Sequence, residues 1–168
     1  MNLRKRDHLK LSLELDVSFE EKTTWLEYVE LIHRALPELN LDEVSTETSF
    51  LGNKFGMPFL IEAMTGGIPE AAKINGNLAE AAERFSIPME VGSQRAAIGD
   101  EKLEYTFKVA RERAPNLFLI ANLSGVQLVK DGVEVAEKAV EMIEANAISI
   151  HLNPLQELIQ PEGSTEFR

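Results

Sequence analysis

Side chains that could bind an anion or a metal ion are concentrated in a few short stretches of the sequence. A basic cluster of Arg4, Lys5, Arg6 and His8 lies near the first residue of a chain whose net charge is −11. That charge argues against general attraction to nucleic acid, so an anionic ligand would need local cations such as these. The other stretches are Thr65–Gly67, Gly92–Arg95, Asn122–Ser124 and His151–Glu157.

These residue types favour a phosphorylated ligand together with a hard cation. Arg95 can form paired hydrogen bonds to phosphate oxygens. The glycines at 66 and 67 would let the backbone approach a flat ring or a phosphate. Glu157 beside Gln156 suits Mg²⁺, which takes few protein ligands and otherwise binds water and phosphate. Each stretch also has a purely structural interpretation, as a tight turn, an exposed loop, a helix cap or a histidine packed in a strand.

Composition excludes several other classes of site. Cysteine is absent, so disulfides, thiolate metal sites and a cysteine nucleophile are excluded within the chain. The sequence has no run of 18 apolar residues, the length typical of a membrane-spanning helix. Its basic first residues are not followed by an uninterrupted apolar segment, unlike a secretory signal. We therefore expect a cytoplasmic protein that binds neither membranes nor nucleic acid.

Four apolar segments about 30 residues apart predict parallel strands. They are Pro58–Ala63, Ile87–Val91, Leu117–Asn122 and Ala147–Leu152. Apolar residues at steps of three and four between them predict helices. The predicted stripes are Ile74, Leu78, Ala81 and Phe85; then Leu103, Phe107 and Ala110; then Val129, Val133, Ala136, Val140 and Ile143. The strands do not alternate strictly, which predicts helices on both faces of the sheet.

Strand–helix–strand units at this spacing fit either an open doubly wound sheet or a (β/α)8 barrel. A barrel typically needs about 250 residues, so the chain holds four units at most. In both folds ligands bind at the carboxyl ends of the strands. The polar stretches that follow the four strands should therefore meet at one rim.

Residues 1–57 do not follow the repeat and are predicted to be an extension of the same domain as residues 58–168. A helix is predicted over Thr24–Leu36, with a capping box between Thr24 and Glu27. A hairpin is predicted over Phe50–Phe55, turning at Gly52 and Asn53. Such a hairpin could plug the N-terminal mouth of a barrel.

The motifs, in this order, resemble those of type II isopentenyl-diphosphate isomerases. They are Arg4–His8, Pro58–Gly67, Asn75–Ala82, Val91–Arg95, Ala121–Ser124, His151–Glu157 and Pro161–Gly163. Several motifs in register over essentially the whole chain are more specific than any one alone. The resemblance implies an α/β chain of the TIM (β/α)8 barrel family. It would hold the first four units, in the N-terminal half, with a helix-and-hairpin extension.

The resemblance also implies roles by position. The catalytic candidates are Gln156 and His151. The substrate-binding candidates are Arg4, Lys5, His8, Ser93, Gln94, Arg95, His151, Asn153 and Gln156. The flavin contacts would be Ala63, Met64, Thr65, Ser93 and Asn122, and Glu157 would bind Mg²⁺. The implied reaction interconverts isopentenyl and dimethylallyl diphosphate by an allylic proton shift, with reduced FMN, Mg²⁺, and NADPH as the reductant.

The family is about twice as long as this chain, and its later strands supply the FMN phosphate site. We therefore expect a truncated, inactive fragment of a homo-oligomeric enzyme, a tetramer or octamer. Its N-terminal arm could serve a neighbour's site. Two alternatives stay open: a non-catalytic half-barrel interaction module, and a flavin-dependent barrel enzyme that oxidises a hydroxy acid. The basic arm and the His151–Glu157 stretch favour the isomerase over the oxidoreductase, and only chain length favours the interaction module.

Overall fold

Helices and short strands alternate along most of the chain. The computed structural model describes the backbone of residues 2–160 and 163–165, and side chains from residue 5 onward. In chain order the elements are α1 (Asn2–Glu14), β1 (Thr48–Phe50), β2 (Asn53–Phe55), α2 (Pro69–Arg84), β3 (Met89–Glu90), α3 (Arg95–Gly99), α4 (Tyr105–Arg113), β4 (Leu119–Ser124), α5 (Gly125–Asp131), α6 (Glu134–Met142), β5 (Ala147–His151) and α7 (Pro154–Ile159). No helix in these described ranges is long and apolar enough to cross a membrane.

The central sheet confirms the predicted parallel pairing. Strands β3, β4 and β5 are neighbours in that order, with Met89 opposite Leu119 and Asn122 opposite Ser149. Residue Ile61 extends the sheet by a parallel bridge to Met89. The described residues form a mixed α/β structure, with no closed barrel among their strands.

The apolar core lies on one face of this sheet, where the helices of the repeat pack, and every residue of β4 is buried, as predicted for a strand covered on both faces. In β4, Leu119, Ala121 and Leu123 are buried in the apolar core with residues of α2, α4 and α6. The intervening residues Asn122 and Ser124 point to the opposite face, because successive side chains of a strand alternate. The face opposite the apolar core therefore carries polar groups at the carboxyl end of β4.

The first predicted strand, Pro58–Ala63, is mostly wrong. Only Ile61 joins the sheet, where its N–H donates to Pro88 O at 3.0 Å and its carbonyl accepts from the Glu90 N–H at 2.8 Å. Proline 58 has no N–H to donate, and the N–H of Phe59 bonds locally to Met57 O at 2.9 Å. The strand is shortened because these residues have local partners or no donor.

The predicted helix over Thr24–Leu36 is also wrong. The structure has one 3-10 turn there, Leu26–Tyr28, preceded by Trp25 in the left-handed region at φ 64°. Thr23, rather than Thr24, bonds to Glu27: its hydroxyl donates to the Glu27 carboxylate and accepts the Trp25 N–H. Every side chain of this segment is exposed, so no packing stabilises a helix of this length. Helix α1, which the sequence analysis did not predict, forms instead in the basic arm.

The hairpin prediction is confirmed, with its turn one residue earlier than expected. Leu51 and Gly52 both have positive φ, as a tight two-residue hairpin turn requires. The ring of Phe55 packs edge-on against Phe118, with centroids 5.3 Å apart. The hairpin thus lies near the amino end of β4.

Two of the three predicted helix stripes need correction. Phe107 and Ala110 are buried as predicted, with Leu103 partly buried, but Ala81 and Phe85 are exposed. Helix α2 buries Ala71, Asn75, Gly76, Ala79 and Ala82 instead. Small residues permit this close approach to α4, since a Cβ at Gly76 would lie 2.7 Å from the Arg113 side chain. The third predicted helix divides into α5 and α6 at Gly132, which has φ 85°, and its Val129 and Val133 are exposed.

Candidate active site

An open pocket of about 340 Å³ lies at the carboxyl ends of the strands, on the sheet face opposite the apolar core. We call it the rim pocket. Its predicted lining residues are Lys5, His8, Ala63, Met64, Ser93, Arg95, Asn122, His151, Asn153, Gln156 and Glu157. Its other lining residues are Glu62, Glu90, Ser124, Ser149 and Leu152. The structure thus brings most of the predicted site residues together at the carboxyl ends of the strands, where the sequence analysis expected them.

Helix α1 supplies part of the positive charge of the rim pocket. Lys5 and His8 are three residues apart, which places both on one face of a helix. Between them, Arg6 pairs with Glu70 at 3.0 Å, so α1 contacts the first turn of α2. The side chain of Arg4 lies outside the described residues.

Glu157 is buried at the rim and already has two protein partners. Its Oε2 accepts the Ser164 N–H at 2.7 Å and lies 3.8 Å from Arg95 Nη1. The residue is 8% exposed. Within the described ranges no group of three or more histidine, cysteine or acidic residues could hold a metal ion. A metal at this rim would therefore rely on few protein ligands.

Two amides next to Glu157 are held by the start of α7. Asn153 accepts the Gln156 N–H at 3.2 Å and so caps the helix. Its own side-chain nitrogen donates to Gln156 Oε1 at 2.7 Å. The cap fixes both side chains at the mouth of the rim pocket.

Three side chains form a hydrogen-bonded chain across the sheet. The Nδ2 of Asn122 donates to a carboxylate oxygen of Glu90. The Oδ1 of Asn122 lies 2.9 Å from His151 Nδ1. Glu90 and Asn122 are both buried. We call this set the Glu90–Asn122–His151 chain.

The sequence analysis missed Glu62 and Glu90 as pocket residues. Each is a carboxylate inside an otherwise apolar predicted strand, which is an unusual place for a charge. That mismatch was the available signal. A buried carboxylate needs hydrogen-bond donors, and Glu90 obtains one from Asn122.

Gln94 and Thr65 do not line the rim pocket. Gln94 is fully buried, its Nε2 donates to Ala139 O at 2.8 Å, and its Oε1 accepts the Asn122 N–H at 3.1 Å. In this structure Gln94 joins β4 to α6. Thr65 is buried behind Gly92, whose N–H donates to Thr65 O at 3.1 Å. Its hydroxyl has no hydrogen-bond partner among the described residues.

Burial lowers the pKa of His151 below its ordinary value, against the opposing effect of the Glu157 carboxylate, and the Lys5 charge lowers it further. The folded chain therefore binds a proton at His151 less readily than the unfolded chain does. The associated stability is intact above the ordinary histidine pKa of about 6.5. It decreases as the pH falls through that value towards the lower folded-state pKa.

We therefore expect His151→Gln to reduce the loss of stability on acidification. The free energy of unfolding is measured by chemical denaturation at about pH 7.5 and about pH 5, on either side of the ordinary histidine pKa. The control is His33→Gln, because His33 is exposed and remote in sequence from the rim pocket motifs. If the free energy of unfolding depends equally on pH in the wild type and in His151→Gln, the pKa of His151 is not lowered by folding.

Curated proteins named isopentenyl-diphosphate delta-isomerase match nearly the whole chain. The Ignicoccus hospitalis protein is 52% identical over 166 residues, which are 98% of this chain and 46% of the relative. The Archaeoglobus fulgidus protein is 54% identical over 160 residues, 95% of this chain and 46% of the relative. The Aeropyrum pernix protein is 50% identical over 166 residues, 98% and 44% respectively.

No family model matches the chain. The chain spans about half the length of the curated relatives that it matches. The match nevertheless includes nearly every residue of the chain, with about half of the aligned positions identical. The chain is therefore a homologue of the isopentenyl-diphosphate delta-isomerases that spans about half of their length.

Proposed function

We propose that this chain forms the first four β/α units of a type II, FMN- and Mg²⁺-dependent isomerase. The enzyme would interconvert isopentenyl and dimethylallyl diphosphate. The observation that carries the proposal is that proteins named as isomerases match nearly the whole of this chain. The gathering of the family-like motif residues around the rim pocket adds support. The whole enzyme would include a further half that completes the barrel.

The rim pocket has the groups that a diphosphate needs. Lys5, His8 and Arg95 offer cationic or neutral donors at its edge. Arg95 is partly exposed beside Glu157, so its remaining N–H groups could meet phosphate oxygens. Ser93, Asn153 and Gln156 add neutral hydrogen-bonding groups. A diphosphate bound there would draw Arg95 away from Glu157 and free that carboxylate.

The donors around Glu157 also fit Mg²⁺. Magnesium is commonly bound by one or two carboxylates, with water and substrate phosphate completing its shell. Glu157 supplies one carboxylate, and Gln156 places an amide oxygen nearby on the same helix. In the proposed enzyme Glu157 holds the metal and the basic rim neutralises the remaining charge of the diphosphate.

The other side of the rim pocket fits one edge of a flavin ring. Ala63 and Met64 line the pocket, and Met64 is 70% exposed. Thr65 is a proposed flavin contact by the resemblance alone, since it is buried and does not line the rim pocket. Reduced FMN, when bound, would supply the acid–base chemistry of the proton shift. In our proposal Ser93 and Asn122 orient the ring, while His151 and Gln156 face the substrate.

The exposed edge formed by β5 and α7 supports the half-barrel proposal. Apolar side chains of the β5–α7 edge are exposed, among them Ile150, Leu152, Leu155, Leu158 and Ile159. A second half-barrel would cover this edge. By the resemblance we further propose a tetrameric or octameric enzyme, NADPH as the reductant, and a cytoplasmic location. We also propose that the 168-residue chain alone is inactive.

A direct test is isomerisation by the full-length protein that carries this sequence. We expect conversion of isopentenyl diphosphate only with Mg²⁺ and reduced FMN. Lys5→Ala should raise KM by roughly 10- to 100-fold, because it removes a charge-assisted contact worth about 1.5–3 kcal/mol. Its FMN affinity should not change. The assay measures initial rates against substrate concentration.

The matched control is Lys10→Ala, which removes a charge from the same helix. Lys10 lies 3.9 Å from Glu14 and does not line the rim pocket. Its KM should equal that of the wild type. Undiminished isomerisation by flavin-free protein would overturn the proposed function, and equal KM values for the two lysine variants would remove Lys5 from the site.

The same exposed edge favours a second candidate, a non-catalytic module that associates through its open strands. Sedimentation of the 168-residue chain distinguishes the two when combined with the isomerase assay. A stable dimer, together with no isomerisation by the full-length protein under any flavin or metal condition, would favour the module.

A further inference from the structure

We infer that Glu90 is a positioning residue that sets the tautomer of His151 through Asn122. This inference deepens the proposed function and rests on it for its catalytic meaning. Glu90 lies on β3, Asn122 on β4 and His151 on β5. The Glu90–Asn122–His151 chain therefore crosses three neighbouring strands. Such a set is held by the sheet itself rather than by a loop.

The direction of the hydrogen bonds follows from what each group can do. A carboxylate only accepts hydrogen bonds, so Asn122 must turn its NH₂ group towards Glu90. The amide oxygen of Asn122 then faces His151 Nδ1 at 2.9 Å. Since that oxygen only accepts, Nδ1 must carry a proton. The neutral imidazole is therefore the Nδ1–H form, with its lone pair on Nε2.

The surroundings keep Asn122 from turning over. Its side chain is 3% exposed, and its backbone N–H and carbonyl are both bonded to Gln94, at 3.1 and 3.0 Å. Turning the amide would direct NH₂ towards Nδ1 and oppose two acceptors at Glu90. In the isomerase, Nε2 would accept a hydrogen bond from substrate, water or a neighbouring amide, and would donate to a phosphate oxygen only after taking up a proton.

The test is the tautomer of His151 in the full 168-residue chain, read from ¹⁵N NMR of the imidazole ring above the ordinary histidine pKa. The His151 signals are assigned by their loss in His151→Gln. We expect the Nδ1–H form to predominate in the wild type. In Glu90→Gln the ratio of Nδ1–H to Nε2–H should fall about tenfold, since a glutamine can also donate to Asn122 and let its amide turn.

Glu62→Gln is the matched control, because Glu62 also lines the rim pocket but is not in the hydrogen-bonded chain. It should keep the wild-type ratio. If Glu90→Gln does not fold, the tautomer of His151 in the wild type and in Asn122→Ala still tests the inference. An Nε2–H ring in the wild type, or equal effects of Glu90→Gln and Glu62→Gln, would overturn the inference. An Nδ1–H ring in a protein without isomerase activity would overturn only the proposed function.

Discussion

Replacing Gly66 with alanine is expected to lower the free energy of unfolding by about 3 kcal/mol. A Cβ at this position would lie 2.0 Å from Cε1 and 2.3 Å from Cζ of Phe107. Phe107 is fully buried in the core, so its ring has little room to move. The next peptide is also fixed, because the Gly67 N–H donates to Thr106 Oγ1 at 2.9 Å. The clash therefore has to distort either α4 or the loop before α2.

Chemical denaturation of the 168-residue chain measures this effect. The control is Gly99→Ala, since an added Cβ at Gly99 would meet nothing within 4 Å and φ at Gly99 is not positive. That variant should match the wild type within about 0.5 kcal/mol. Equal stability of Gly66→Ala and Gly99→Ala would mean that the loop and Phe107 are not packed as described. Close approach of the backbone to a ligand would then explain the glycine at position 66 as well as packing against Phe107 does.

Replacing Glu157 with glutamine should reduce Mg²⁺-dependent isomerisation by the full-length protein roughly 100-fold or more. The change removes the carboxylate that we propose as the metal ligand. The fold should survive, because the glutamine oxygen can still accept the Ser164 N–H that Glu157 accepts at 2.7 Å. The measurement is the initial rate as a function of Mg²⁺ concentration, with FMN binding recorded separately.

Glu112→Gln serves as the charge-matched control, since Glu112 is exposed on α4 and does not line the rim pocket. Its Mg²⁺ titration should equal that of the wild type. A slow Glu157→Gln enzyme with an unchanged Mg²⁺ midpoint would contradict the metal role. It would assign the effect to the lost pairing with Arg95, which is 3.8 Å away.

The parallel sheet was predictable because periodic apolar segments leave few pairings open. Helical crossovers of nearly constant length require β3, β4 and β5 to be parallel and favour pairing between strands that follow each other in sequence. The inner face was harder to predict. A strand such as β4 can be apolar throughout most of its length, yet Asn122 and Ser124 still alternate onto the face opposite the apolar core. Periodicity over six residues does not show whether a second layer covers that face.

The location of the site was predictable because ligands of parallel α/β folds bind at the carboxyl ends of the strands. The rule selects the stretch Gly92–Arg95 but not the direction of each side chain within it. Ser93 and Arg95 line the rim pocket, while Gln94 between them turns into the core. The predicted helix over Thr24–Leu36 was wrong for a different reason. Its apolar residues at helical spacing have no described surface to pack against. Pattern alone cannot supply that tertiary contact.

The order of the strands in the sheet has a consequence for how the chain folds. Ile61, β3, β4 and β5 are adjacent in space in the same order as in sequence. Each strand of the central sheet therefore pairs with the one before it in that sheet, and none inserts between two that are already paired. A chain emerging from the ribosome could add one β/α unit at a time, as domains commonly begin to fold from the N-terminal side. Until another strand or chain pairs with it, β5 presents the edge that is most open to misassembly.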